Sequence, residues 1–174
     1  MKTISYRLDH HIPNLLRLWR NLRPAALGSL PKHALTPPEL HEVARGVRGL
    51  SRGLTGERGL SGSRYMSDPA ALGAYLLSFW PISYAQTSLI LESEGLRSAA
   101  ALDLGAGPGP LSLALLDRGA SVTACDRGTD ALDLARSLAE ASRFELKTQV
   151  WDAEEGAHAA HAAAPLPRYL YGRP

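Results

Sequence analysis

Short apolar runs alternate with helical patterns in the second half of the chain. The runs at 100–104, 121–125 and 144–151 have the length and apolar content of buried strands. Between them, leucine and alanine recur with helical spacing over 110–116 and 129–138. Strands that alternate with helices favour an α/β fold in which the three strands lie parallel in one sheet.

The ends of these predicted helices carry local signals. Pro110 suits the first position of a helix, and Gly119 suits the left-handed residue that follows its end. Thr129 and Asp130 are predicted to cap the helix after the second strand through their side-chain oxygens.

The first part of the chain has a largely helical pattern. Residues 12–23 and 38–54 each place apolar side chains on one helical face, which predicts two helices with basic outer sides. Glycines are expected to weaken the second helix by about 1 kcal/mol each relative to alanine. They are Gly46, Gly49 and Gly53. A further helix starts at Pro69, and Pro81 predicts a kink or a fresh start within it because proline removes one helical hydrogen bond.

A glycine-rich turn, D-L-G-A-G-P-G over residues 103–109, separates the first strand from the next helix. Its glycines would let a ligand approach the backbone, and free N–H groups would offer hydrogen-bond donors. The dinucleotide-binding pattern requires a glycine at position 110, where this chain has proline. The alternative interpretation is an ordinary turn with the nearby acids acting as helix caps.

An acidic residue stands near the carboxyl end of each predicted strand. These residues are Asp103, Asp126 and Asp152. Because parallel strands end at one edge of a sheet, the three side chains are expected where open α/β folds bind ligands. The D-x-G-x-G-x-G run at this edge resembles motif I of the class I S-adenosylmethionine-dependent methyltransferases.

This resemblance implies S-adenosylmethionine as the cofactor, with the turn around its amino-acid end and its ribose. Asp126 would accept both ribose hydroxyls, and Asp152 would receive the adenine amino group. The cofactor-binding residues that it implies are Asp103, Gly105, Gly107, Gly109, Asp126 and Asp152. The implied fold is the N-terminal part of a Rossmann-like methyltransferase sheet, with three parallel strands and a helical basic arm before it.

Charge is distributed unevenly although the net charge is only +2. Residues 1–68 contain eleven Lys and Arg against five Asp and Glu, whereas residues 69–174 contain eight against twelve. A basic arm before an acidic domain suggests a polyanionic partner such as nucleic acid. The candidate phosphate contacts are Arg45, Arg48, Arg52, Arg58 and Arg64. A solvated basic surface is the alternative interpretation.

Composition argues against several classes of site. Cys125 is the single cysteine, so an intrachain disulfide and a cysteine-based metal site are excluded. The histidines of the first part lack metal-ligand spacing, and we assign no role to them. They are His10, His11, His33 and His41. No apolar run reaches membrane-spanning length and no secretory signal is recognisable, so we expect a cytoplasmic protein without a bound metal.

A longer stretch resembles a more specific family. Residues 60–65 contain Leu-Ser followed by Arg-Tyr, and residues 74–85 contain Ala-Tyr-Leu followed by Pro-x-Ser-Tyr-Ala. With the glycine turn after them, they resemble the methyltransferase-like proteins associated with the mitochondrial small ribosomal subunit, a family with bacterial members. The resemblance covers roughly residues 38–140. It implies an enzyme that uses S-adenosylmethionine and acts on or with small-subunit ribosomal RNA, in rRNA methylation or ribosome assembly.

The chain also departs from that family. It contains three of the fold's strands, so we expect a truncated copy whose first strand pairs with other copies. The cysteine ligands of the family's iron–sulfur cluster are absent, and no catalytic residue is named. A non-catalytic RNA-binding assembly factor and a generic small-molecule methyltransferase are the alternative functions. The predicted regions are a helical basic part (1–68), a partial cofactor-binding domain (69–152) and an irregular tail rich in alanine and proline (153–174).

Overall fold

The computed structural model describes residues 4–23, 31–55, 69–96 and 99–152. These residues form six α-helices, one π-helical turn and three strands. In chain order they are α1 (Ile4–Asn21), α2 (Pro37–Thr55), α3 (Pro69–Ala74), the π turn (Tyr75–Phe79), α4 (Trp80–Ser93), β1 (Ala100–Leu104), α5 (Pro110–Leu116), β2 (Ser121–Asp126), α6 (Thr129–Ala141) and β3 (Lys147–Val150).

The three strands form one parallel sheet in the order β1-β2-β3. The α/β fold with three parallel strands is therefore confirmed, and it is consistent with a Rossmann-like methyltransferase sheet. The predicted bounds of β1 agree with the structure, whereas β3 is shorter than the apolar run at 144–151. Helix α5 packs on β1 and β2, and α6 packs on β2 and β3.

The two faces of the sheet differ in burial. Val122 and Ala124 of β2 are buried at 1% and 0% exposure, because α5 and α6 cover this face. On β1, the side chains of Leu102 and Leu104 alternate with the buried Asp103 and are 48% and 56% exposed. Within the described part of the chain, β1 is an edge strand whose other face carries exposed leucines.

The N-terminal helices share one hydrophobic core with the sheet. Helix α1 begins well before the predicted start at residue 12, continues through Pro13, and packs against α4 and α6. Its buried Leu15, Leu16 and Trp19 belong to the same cluster as Leu113 of α5. The basic N-terminal helices are therefore built onto the sheet and are part of its support.

A close approach between α2 and α3 explains one glycine that we expected only to weaken its helix. A Cβ on Gly46 would lie 2.1 Å from the carbonyl oxygen of Ala70, a distance that the two helices could not keep. At Gly49, three residues later, a Cβ would meet no atom within 4 Å. The close packing of α2 on α3 therefore requires glycine at position 46, whereas position 49 has space for a larger residue.

The predicted break near Pro81 takes the form of a π turn. The Trp80 backbone N–H donates to the carbonyl oxygen of Tyr75, five residues earlier, and α4 then begins with Pro81 in its first turn. Proline lacks an N–H, so the first turn of a helix is the place where it costs least. The chain remains helical from α3 to the end of α4, without the break that a fresh start would require.

The predicted cap of α6 is wrong. Gly128 occupies the cap position without a side-chain cap bond, and Thr129 and Asp130 are already helical residues. The Asp126 carboxylate explains the difference, because its Oδ1 accepts the Gly128 N–H at 2.8 Å and turns the chain into the helix.

Candidate functional site

A glycine loop, residues 105–109, connects the carboxyl end of β1 to α5. Its three glycines have φ angles of +72°, +54° and +74°, a backbone region that L side chains rarely adopt. At Gly109 a Cβ would also lie 3.0 Å from the Cβ of Ala135 on α6. At Gly105 it would meet no atom within 4 Å, so the loop has open space on that side. A ligand can therefore approach the backbone of the loop beside Gly105.

The amides of the loop correct one expectation from the sequence. We expected free N–H donors, but the glycine amides already donate within the protein. Gly105 donates to the Cys125 carbonyl at 2.8 Å, Gly107 to Asp126 Oδ2 at 2.8 Å, and Gly109 to the Ala106 carbonyl at 2.9 Å. These bonds fix the loop's conformation, so it offers a ligand shape and space rather than free glycine N–H groups.

Asp126 lies at the end of β2, directly against the loop. Its side chain is partly buried, and each carboxylate oxygen accepts one backbone N–H, from Gly107 and from Gly128. An ionised carboxylate has about four acceptor positions, so both oxygens retain capacity for further donors. The backbone bonds hold this carboxylate in one orientation, and it can accept a pair of hydroxyl groups.

Asp103 lies beneath the loop and is 3% exposed. Its Oδ2 accepts the Ser112 hydroxyl at 2.6 Å, which ties the end of β1 to the first turn of α5. Burial raises the pKa of the Asp103 carboxyl, and the bonds from Ser112 oppose that shift. Asp103 thus contacts the start of α5, and its direct contact with a ligand stays a prediction.

Asp152 follows the end of β3 at the same edge of the sheet. The Trp151 N–H donates to the backbone carbonyl of Asp126 at 3.0 Å, which places the two strand ends side by side. The Asp152 side chain is partly buried. Contact of this side chain with an adenine amino group stays a prediction.

Two aromatic residues next to the loop were not predicted from the sequence. The Trp80 indole N–H donates to the Pro108 carbonyl at 2.9 Å, and a Cβ on Gly107 would lie 3.6 Å from the Tyr75 hydroxyl. Tyr84 and Gln86 lie later in the same segment. Tyr84 is fully buried and Gln86 is exposed, so the loop neighbours come from the preceding turns.

A buried polar cluster joins α1 to the helices that cover the sheet. His11, 1% exposed, places its Nε2 2.7 Å from Asp117 Oδ2 and its Nδ1 3.1 Å from the Ser142 hydroxyl. Burial alone would raise the pKa of Asp117, but the hydrogen bonds from His11 and Tyr84 lower it overall. We had assigned no role to His11. Its position four residues before the buried Leu15, on the apolar face of α1, was the available signal.

The arginines proposed for phosphate contact are only partly described. Arg45 and Arg48 are exposed residues of α2. The Arg52 side chain, Arg58 and Arg64 lie outside the part that the structure describes.

Two further arginines of the N-terminal region form ion pairs with glutamates of α2. Arg20 pairs with Glu39 at 2.7 Å, and Arg23 pairs with Glu42 at 2.5 Å. The Arg20 hydrogen bond lowers the pKa of Glu39 to about 2. The surface of the N-terminal helices is therefore less basic than its count of arginines suggests.

The described residues contain neither a candidate metal centre nor a membrane-spanning helix. Residues 4–23, 31–55, 69–96 and 99–152 contain no group of three or more His, Cys, Asp and Glu side chains that could hold a metal ion. No helix in these ranges is both long and apolar enough to span a membrane.

Comparison with known proteins gives one family. Residues 101–164 match the family described as Methyltransferase domain. The matched region begins in β1 and contains the glycine loop, Asp126 and Asp152. No curated protein matches the chain. The family match and the parallel sheet support a class I methyltransferase domain, and nothing in the match points to a ribosomal family.

Proposed function

We propose that this protein is an S-adenosylmethionine-dependent methyltransferase that binds its cofactor on residues 105–109, against Asp126. One arrangement carries the proposal: a glycine loop with open space beside Gly105 and a fixed carboxylate at its edge. The loop can take the amino-acid end and the ribose of the cofactor, and Asp126 can accept the two ribose hydroxyls. Asp152 at the neighbouring strand end is suited to the adenine amino group.

The bound cofactor would supply a methyl group on a sulfonium, which reacts with a nucleophile that is aligned with it. In this proposal the glycine loop and Asp126 bind and orient the cofactor. The three bonds of the glycine amides fix the loop before any ligand arrives, and the bonds from Gly107 and Gly128 fix Asp126. Such fixed geometry provides the alignment on which a displacement reaction depends.

Calorimetry with S-adenosylhomocysteine tests this proposal. Asp126→Ala should weaken binding by about 1.5–3 kcal/mol, the usual contribution of hydrogen bonds to a charged group. Asp133→Ala is the matched control, because Asp133 is an exposed carboxylate of α6 that pairs only locally with Arg136. Equal affinities of the wild type and the Asp126 variant would remove Asp126 from the site. Absence of binding to the wild type would contradict the proposed function itself.

We further propose that the methyl acceptor, or the binding partner, is RNA of the small ribosomal subunit. The resemblance over residues 38–140 and the basic N-terminal half support this. Arg45 and Arg48 lie three residues apart and exposed on α2, so they are neighbours on the helix surface. A non-catalytic assembly factor and a small-molecule methyltransferase are the competing functions.

Salt dependence and methyl transfer distinguish these functions. If Arg45 and Arg48 contact phosphates, changing both to Gln should lower the slope of log affinity against log salt by about 1–2 for structured RNA. Arg136→Gln is the control in the other half of the chain. An unchanged slope in the double variant would indicate solvated arginines. Transfer of labelled methyl to small-subunit RNA would favour the enzyme, and salt-dependent RNA binding without transfer would favour the assembly factor.

A further inference from the structure

The glycine loop is held from outside by a buried tryptophan. Trp80, the first residue of α4, is fully buried, and its indole N–H donates to the carbonyl oxygen of Pro108 at 2.9 Å. Pro108 lies within the loop and is itself buried. A buried carbonyl that loses its donor is costly, so this bond favours one conformation of the loop. The helix before the sheet thus contributes directly to the loop's shape.

Trp80 is in turn fixed by its neighbours. Its ring stacks on Tyr84 with centroids 5.4 Å apart and planes at 10°, and it forms a T-shaped pair with His11 at a centroid distance of 5.8 Å. The Tyr84 hydroxyl and His11 Nε2 both donate to Oδ2 of Asp117, at 2.5 Å and 2.7 Å. Asp117 follows the last residue of α5, so the cluster joins α1 and α4 to the helix that the loop begins.

The π turn sets the spacing between the aromatics and the loop. Tyr75 starts this turn and Trp80 follows it, and their side chains meet two successive loop residues, Gly107 and Pro108. Single π turns inside helices occur frequently at functional sites. Here the turn also precedes Pro81, so one local feature accommodates the proline and brings both aromatics to the loop.

We propose that Trp80 is a positioning residue for cofactor binding, which holds the Pro108 carbonyl and thereby keeps the loop in its binding conformation. The inference rests on the proposed function. A loop already held in the bound conformation binds more tightly, because less conformational freedom is lost on binding. Helix α1 participates through His11, so it contributes to the cofactor-binding unit although it lies far from the loop in sequence.

The test replaces Trp80 with benzothienylalanine, in which a sulfur atom takes the place of the indole N–H. This analogue keeps the ring and its stack on Tyr84, and removes only the bond to Pro108. We expect S-adenosylhomocysteine affinity to fall about three- to tenfold, or about 0.7–1.4 kcal/mol, because the loop loses one of the bonds that hold it before the ligand binds. Trp80→Phe is the second variant, and it should lose at least as much affinity.

Trp19→Phe is the matched control for lost packing. Trp19 is equally buried in the same core, but it lies on α1 against Gly73. Urea unfolding without ligand should show that Trp19→Phe and Trp80→Phe both destabilise the fold, while only the Trp80 variants lose affinity. If both Trp80 variants bind as tightly as the wild type, the inference is overturned and the proposed function remains intact. The same holds if Trp19→Phe loses as much affinity as the Trp80 variants. A wild type that does not bind would overturn both.

Discussion

Two glycines allow the strain of a left-handed backbone to be separated from the loss of a ligand site. Gly105 has a φ of +72° and Gly119 a φ of +86°, and a Cβ at either position would meet no atom within 4 Å. Gly105 opens the glycine loop, whereas Gly119 follows α5 at its other end. Alanine at either position therefore introduces a positive-φ strain of similar kind, without a steric clash at either site.

The expected stability loss follows from this geometry. A left-handed conformation costs a non-glycine residue about 1–2 kcal/mol, and neither site adds a clash. Both Gly105→Ala and Gly119→Ala should therefore lower the free energy of unfolding by about 1–2 kcal/mol. For binding the two differ, because only the methyl group at position 105 would occupy space beside the loop. We expect Gly105→Ala to weaken S-adenosylhomocysteine binding at least about tenfold, or 1.4 kcal/mol.

Urea unfolding and calorimetry on the same preparations measure both quantities. We expect similar losses of stability in both variants and a loss of affinity in Gly105→Ala alone. If both variants bind as tightly as the wild type, the ligand does not lie on this loop. If Gly119→Ala loses as much affinity as Gly105→Ala, the effect comes from strain in α5 and the space beside Gly105 is not the binding space.

Three further predictions concern the rest of the fold. Gly46→Ala should destabilise the protein by about 1–3 kcal/mol because its Cβ would meet the α3 backbone, whereas Gly49→Ala should stabilise it by up to about 1 kcal/mol in urea unfolding. The pKa of Glu39 is lowered from 4.5 to about 2 by its bond with Arg20, so its contribution to stability is complete above pH 4.5 and is lost as the pH falls towards 2. The stability difference between the wild type and Glu39→Gln should shrink over that interval, by at most about 1.4 kcal/mol per pH unit, and a constant difference would contradict the assignment. The exposed Leu102 and Leu104 of β1 predict concentration-dependent association in light scattering, which Leu102→Lys should reduce; a wild type that stays monomeric at all concentrations would contradict this.

The parts of the fold that could be predicted from the sequence are those specified by residues close to one another in the chain. The β1 boundaries and the glycine loop follow from an apolar run, a cluster of glycines and a helix-starting proline, all within a few residues. Parallel pairing follows from the alternation of strands and helices. The cap of α6 is also local, but it was assigned to the wrong residues. The Asp126 side chain, two residues before Gly128, accepts the bond that begins the turn, rather than Thr129 or Asp130.

The support of the site depends on contacts between distant parts of the chain. Trp80 and Pro108 are separated by 28 residues, and His11 and Asp117 by 106. Hydrophobic periodicity shows that such residues are buried, but it does not show which polar atoms meet. For the same reason, the sequence suggested free amides in the loop, whereas the Cys125 carbonyl and the Asp126 carboxylate already accept two of them.

The central claim is that the loop at 105–109 and Asp126 bind S-adenosylmethionine. Its most direct test is an amide NMR titration of the isotope-labelled chain with S-adenosylhomocysteine, and with NAD as the competing ligand class. We predict saturable shifts centred on the amides of Gly105, Gly107 and Asp126, no shift at Gly46 on α2, and no response to NAD. Shifts centred outside the loop, equal responses to NAD, or no response to S-adenosylhomocysteine would contradict the claim.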